Sequence, residues 1–220
     1  MSRRAIVYLH GFASSPRSSK ARFFGEHASA AGWAHTCPDL NQPDFATLTV
    51  SRMIEQVEVA VAESGNGPVA LVGSSLGAFV ALHAAARLAR RDASPVDRLV
   101  LLAPALDLVP SLEEEFGPEK MAAWEHSGRL PIFHYGDDAM RELAWTFMRD
   151  ARAYDSSAVA DDLPTLIYQG RHDEVVRADV VERWAASRPN VTLRLVDDGH
   201  QLLGHLEPMW ADVVAFLGGA

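Results

Sequence analysis

The chain reads as an α/β protein with a mostly parallel sheet, on three observations. Four short runs, 5–9, 69–72, 99–102 and 165–168, are apolar throughout but for Thr165, which is the pattern of strands covered on both faces. Segments between them place apolar residues at helical spacing, as Ile54, Val57 and Val61 do. Turns or loops rich in glycine, proline or polar residues separate the two kinds of segment, so strands and helices alternate along the chain. Of the 220 residues, 48 % are hydrophobic, enough to bury a substantial core, and one domain over 1–220 is expected.

The first run, Ala5-Ile6-Val7-Tyr8-Leu9, ends in His10-Gly11-Phe12, where a loop carrying part of a site is expected. Ser15 and Pro16 read as the N-cap and first residue of a helix that Gly32 closes. A weaker strand follows within 33–40 and a helix over 48–62, before Ser64-Gly65-Asn66-Gly67-Pro68 breaks the chain. The run 69–72 then meets Gly73-Ser74-Ser75-Leu76-Gly77, a G-x-S-x-G pattern whose physical content is a sharp strand-to-helix turn. Phe79, Leu82, Ala86 and Leu88 continue at roughly helical spacing, with alanines where the helix must lie close to a sheet. Such a turn lifts Ser75 out at the sheet's carboxyl edge and points the Leu76 N–H at the same spot, near the positive end of the helix dipole.

Another buried strand spans 97–103 and ends at Pro104. From 105 to 162 the pattern changes to clustered acids at Glu113, Glu114 and Glu115, several prolines, and aromatics at Phe116, Trp124, Phe133, Tyr135, Trp145, Phe147 and Tyr154. That is too long for a plain connection, so helices of its own are expected there. Two readings stay open: an excursion with an ordinary small core, or a cap whose aromatics, Trp124 and Trp145 among them, line an acyl pocket. After 165–168 come Gln169-Gly170-Arg171-His172-Asp173-Glu174, a helix over 177–187, and a half-exposed strand at 191–196, where apolar and polar residues alternate. The corner Asp197-Asp198-Gly199-His200 leads to a last helix opened by Pro208, with Trp210, Val213, Val214 and Leu217 on one face.

A net charge of -9 argues against nucleic acid or an anionic membrane surface as partner. The single cysteine, Cys37, excludes an internal disulfide and a multi-cysteine zinc site, and it fits a reducing compartment. With neither a signal-peptide core nor a membrane-spanning run in the sequence, a soluble, cytoplasmic protein is expected.

Ligands of an open parallel sheet bind outside the carboxyl ends of its strands, and His10-Gly11-Phe12, Ser75, Asp173 and His200 all fall at such ends. A serine is a poor nucleophile unless a base takes its proton, and that base needs a partner to fix its tautomer. The order Ser75, Asp173, His200 is the one expected when the nucleophile elbow comes first. Asp107 is the rival acid; Asp173 is favoured because its loop is short. His10 reads as structural, and His172 and Glu174 as exposed loop groups. Asp197 and Asp198 lie too close in sequence to His200 to orient it. His200 and His205 lack the H-E-x-x-H pattern, so no metal is expected. Arg17, Lys20 and Arg22 either solvate a helix or attract an anionic substrate.

In Tyr8-Leu9-His10-Gly11-Phe12-Ala13-Ser14-Ser15-Pro16-Arg17-Ser18-Ser19-Lys20, Val72-Gly73-Ser74-Ser75-Leu76-Gly77, Asp173-Glu174-Val175-Val176 and the Gly199-His200 corner, the chain resembles the α/β-hydrolase superfamily. It resembles more closely the small YqiA/YcfP-type esterases. The elbow and histidine corner are superfamily-wide, whereas the long first loop is more specific. Ala78 departs from the second glycine often found after the elbow, and Gln201-Leu202-Leu203 lacks the usual aromatic after the histidine. The resemblance implies an α/β-hydrolase-like, mostly parallel sheet with helices on both faces and a small helical cap insertion at 105–162. It implies Ser75 as nucleophile, His200 as base and Asp173 as acid, with the backbone N–H groups of Phe12 and Leu76 as oxyanion hole. The expected reaction is two-step acyl transfer on a small-molecule acyl ester or thioester, without a cofactor. A serine peptidase, a cofactor-free haloperoxidase or a non-catalytic hydrolase-like binding protein are the alternatives.

Overall fold

Strands that are apolar on both sides need helices over both sides, and the arrangement follows from that. The computed structural model describes residues 3–90, 94–159 and 162–218. Its strands are β1 (Ala5–Leu9), β2 (Ala34–Thr36), β3 (Val69–Ser74), β4 (Val96–Leu102), β5 (Arg129–His134), β6 (Ala139–Ala144), β7 (Thr165–Gly170) and β8 (Val191–Val196). Six of them form one parallel sheet in the order β2-β1-β3-β4-β7-β8. Ile6, Tyr8, Ala70, Val72, Val100 and Leu102 pack with α1 (Ser19–Ala30) and α7 (Leu206–Gly218) on one face. Val7, Leu9, Leu71, Leu99 and Leu101 pack on the other with α2 (Val50–Glu63), α3 (Leu76–Ala89) and α6 (Ala178–Ala186). Each fully buried aliphatic side chain of this kind contributes about 1.5–3 kcal/mol. At the edge, β8 alternates half-buried Val191 and Leu193 with exposed Thr192 and Arg194, as its sequence pattern predicts.

The connection after β1 runs to β2 on one side of the sheet, while that after β3 runs to β4 on the other. This divergence opens a crevice at the carboxyl ends of β1 and β3, the place where open parallel sheets hold ligands.

Helix α1 begins later than the Ser15-Pro16 pair predicts. The Ser15 hydroxyl accepts from the Arg17 N–H at 3.3 Å, closing a separate turn. Ser18 is the N-cap instead, its hydroxyl accepting from the Ala21 N–H at 3.3 Å. Two serine-led turns compete here, and the one whose hydroxyl reaches the third helical amide starts the helix.

The 105–162 stretch carries α4 (Leu108–Ser127) and α5 (Thr146–Ala151), and between them an antiparallel hairpin, β5 with β6, where only helices were expected. The period of two is present in the sequence: Leu130 and His134 are buried while Arg129, Pro131 and Phe133 are exposed. A left-handed Gly117 (φ 69°) followed by Pro118 bends α4. Asp150 accepts from the Ser51 N–H at 2.9 Å and its hydroxyl at 2.6 Å, docking the insertion on the positive end of α2.

Trp124 is 1 % exposed and donates its indole N–H to the Leu143 carbonyl at 2.9 Å; Trp145 packs edge-on against it at 5.2 Å. Trp124 belongs to the core beneath the insertion, half-buried Trp145 packs against that core, and neither lines the cleft that holds Ser75. Trp124→Ala is therefore expected to cost about 3–5 kcal/mol in a denaturant titration, as deletion of a buried aromatic does. A change in substrate preference with unchanged stability would contradict this placement. Among the described residues, no helix is long and apolar enough to cross a membrane.

Candidate active site

Between β3 and α3 the backbone of Ser75 takes φ 55° and ψ -116°, a conformation that costs a non-glycine residue about 1–3 kcal/mol. Surrounding bonds hold it: the Ser75 N–H donates to the Leu102 carbonyl at 2.9 Å, and its own carbonyl accepts from Ala78 at 3.0 Å. A Cβ on Gly77 would lie 2.1 Å from the Leu9 carbonyl oxygen, and one on Gly73 would lie 2.4 Å from that of Gly77. Only glycines allow β1, the elbow and α3 to approach this closely.

Phe12 follows β1, its ring held between Phe45 and Phe147 at centroid distances of 5.6 and 5.7 Å. Among the described residues, neither the Phe12 N–H nor the Leu76 N–H has an acceptor. The loop is pinned from two sides, by Gly136 N–H on the Ala13 carbonyl (3.2 Å) and by Asn41 Nδ2 on the Ser14 carbonyl (2.8 Å). His10 is buried, its Nε2 accepting from the Leu40 N–H at 3.1 Å and its Nδ1 lying 3.0 Å from the Gly11 carbonyl. The same Nε2 lies 3.6 Å from Asp39 Oδ1, so both ring nitrogens of His10 are engaged within the loop.

After β7, Asp173 is bound at both carboxylate oxygens. Oδ1 accepts from the N–H groups of Val175 (2.9 Å) and Val176 (2.8 Å), and Oδ2 from Gln169 Nε2 (3.0 Å). His200 Nδ1, on the corner after β8, reaches Oδ2 at 2.9 Å. The Asp173 side chain is 0 % exposed and that of His200 15 %. Burial alone raises the carboxyl pKa, but the hydrogen bonds from His200 and from the Val176 and Val175 amides outweigh it and hold it below the usual value. With Nδ1 donating to the carboxylate, the His200 Nε2 is left as the acceptor.

Gln169 has no role in the sequence reading, yet it is fully buried and also donates to the Val176 carbonyl at 3.0 Å, fixing the Asp173 loop. Its one legible signal is a polar side chain at the end of an apolar run. The other candidates fall elsewhere. Asp107 is exposed at the start of α4. Asp198 accepts from the Gly199 N–H (2.8 Å) and the Gly204 N–H (2.9 Å), and it meets His205 Nδ1 at 3.1 Å, so it shapes the histidine corner. Asp197 pairs with exposed His172 at 2.6 Å.

Ser75 and His200 line one cleft of about 630 Å³, together with Phe12, Tyr135, Arg17 and Lys20. Among the described residues no hydrogen bond joins the Ser75 hydroxyl to His200; such contacts often tighten only when substrate binds.

A parallel sheet flanked on both faces, with an elbow serine at its carboxyl edge and an Asp–His pair beyond, defines an α/β hydrolase. The chain belongs to the uncharacterised protein family UPF0227, whose pattern matches residues 5–218. A bovine (Bos taurus) protein named palmitoyl-protein thioesterase ABHD10, mitochondrial, is 24 % identical over 205 residues, covering 88 % of this chain and 66 % of the relative. The chain thus spans just under two thirds of that relative's length. The crystal structure of a proposed hydrolase from Agrobacterium vitis S4 superposes with a TM-score of 0.86 at 25 % identity, covering 97 % of this chain and 87 % of the other. Mouse α/β hydrolase domain-containing protein 10 superposes with a TM-score of 0.80 at 22 % identity, covering 98 % and 90 %.

Proposed function

We propose that the protein is a serine hydrolase that cleaves carboxylic esters or acyl-thioesters through Ser75, His200 and Asp173. The observation that carries this reading is the buried Asp173 carboxylate on His200 Nδ1 at 2.9 Å, with His200 and the elbow serine opening on one cleft. His200 Nε2 takes the Ser75 proton as Oγ attacks the carbonyl carbon. The oxyanion that forms is met by the unpaired amides of Phe12 and Leu76, where loss of one such donor typically costs about 3–4 kcal/mol. Collapse expels the alcohol or thiol, which takes the proton from His200, and leaves an acyl-Ser75 ester. Water, deprotonated by His200, then attacks that ester, and Ser75 regains its proton as the acid departs. Asp173 stays ionised throughout and stabilises the imidazolium.

The thioester arm is supported by the name of the bovine relative. Its test is a panel of 4-nitrophenyl esters of increasing acyl length, the matching thioesters, and a 4-nitroanilide. Ester or thioester turnover well above that of the anilide is expected. Preferential anilide cleavage would replace this reading with a peptidase, and absence of turnover on every member, together with no labelling by an active-site acylating probe, would end it.

A further inference from the structure

The cleft contains a cation that this chemistry leaves unused. Lys20, in the first turn of α1, is 7 % exposed and lines the same cleft as Ser75 and His200. Among the described residues its ammonium has neither a hydrogen bond nor an ion pair. Burial lowers its pKa to about 8, against the opposing pull of Asp173 and Asp198, neither of which forms an ion pair with it. Its Nζ is not among the sealed-off, unpartnered side-chain atoms of the described residues, so the ammonium opens on the cleft, where an anion can reach it.

Further donors surround it. With Ser18 bonded to Ala21 and Arg22, the N–H groups of Ser19 and Lys20 remain without acceptors among the described residues, at the positive end of a 12-residue helix. Arg17, also free of ion pairs among the described residues, lines the cleft, as do Ser14 and Ser18. Glu115 is the opposing charge on the insertion side. Arg22, by contrast, is exposed and outside the cleft lining. In a protein of net charge -9, this convergence of unpaired donors is local.

We propose that the first turn of α1, with Lys20 and Arg17, is an oxyanion subsite of the cleft, and that the hydrolase acts on esters or thioesters carrying a carboxylate or phosphate. The substrate class rests on the ester-cleaving reading of Ser75 and His200, whereas anion binding itself does not.

Two sets of measurements separate these. In the first, kcat/KM is compared for 4-acetoxybenzoate and its neutral methyl ester. The anionic-to-neutral ratio is expected to fall at least about tenfold in Lys20→Met, as for loss of a hydrogen bond to a charged group, and to be largely retained in Lys20→Arg. In the second, Ser75→Ala is titrated calorimetrically with 4-hydroxybenzoate and, separately, with inorganic phosphate. Binding of either, weakened at least about tenfold by adding Lys20→Met, supports the subsite and shows which oxyanion it takes. Affinity should also fall as pH rises through about 8, where Lys20 loses its charge in the company of Asp173, Asp198, His200, Arg17 and Glu115; with Lys20→Arg it should persist to higher pH.

Lys20→Met is expected to fold, because it keeps the buried apolar stem of the side chain and removes only the ammonium that opens on the cleft. If it does not fold, the pH comparison with Lys20→Arg decides. Neither anion binding, or equal binding with and without Lys20, overturns the subsite. Absence of turnover on both esters with anion binding intact overturns only the ester reading.

Discussion

Ser75→Ala is expected to abolish covalent labelling by a fluorophosphonate probe and to lower kcat on the order of 10⁶-fold, the loss seen when a serine protease loses its nucleophile. That corresponds to about 8 kcal/mol of transition-state stabilisation. So large an effect follows from the elbow, which brings Ser75 to the cleft that His200 also lines; the neighbouring Ser74, the last residue of β3, is buried yet borders the same cleft. Alanine keeps the Cβ and the strained backbone, so the fold should persist and the circular dichroism spectrum should be unchanged. Labelling that survives the substitution would move the nucleophile elsewhere, with Ser74 the first residue to test.

Asp173→Asn should lower kcat by about 10⁴-fold while leaving the protein folded; the magnitude is that of the equivalent change in a trypsin-like protease. The hydrogen bonds explain why. Val175 and Val176 donate to Oδ1, so an asparagine oxygen is retained at that position. Its amide nitrogen then takes the place of Oδ2, which now accepts from Gln169 Nε2 and from His200 Nδ1 at 2.9 Å, closer than the 3.1 Å between Nδ1 and Oδ1. An N–H directed at Nδ1 places the imidazole proton on Nε2, the atom that has to accept from Ser75. The partner experiment is Asp107→Asn, which should change kcat less than about threefold, since substitutions at exposed sites without such contacts are usually near neutral. The reverse pattern would assign the acid to Asp107, and near-wild-type rates in both variants would leave His200 without a functional partner.

Local pattern was sufficient for the α/β class and for placing the candidate site residues at the carboxyl ends of strands. Runs such as Leu99-Val100-Leu101-Leu102 are apolar at every residue because helices cover both faces, and that property is written in consecutive residues. The elbow was legible for a related reason: a strand, two glycines around a serine and a helix are contiguous, and sterics alone require Gly73 and Gly77. Contacts between distant segments were not legible in this way. Asp107 and Asp173 both follow strands, and only the pairing of β7 with β8 brings one of them within 2.9 Å of His200. The insertion's aromatics gave no sign of which would be buried; Trp124 lies in the core because β6 offers it the Leu143 carbonyl, whereas Tyr135, at the hairpin turn, lines the cleft. Lys20 is the sharpest instance, since its charge and helical position predict a solvated side chain, and it becomes a mostly buried one with its ammonium opening on the cleft only because α1 packs its first turn beside the elbow and the histidine corner. Sequence neighbours determine local conformation through sterics and turn chemistry, whereas burial and partner choice are properties of surfaces assembled from segments far apart in the chain.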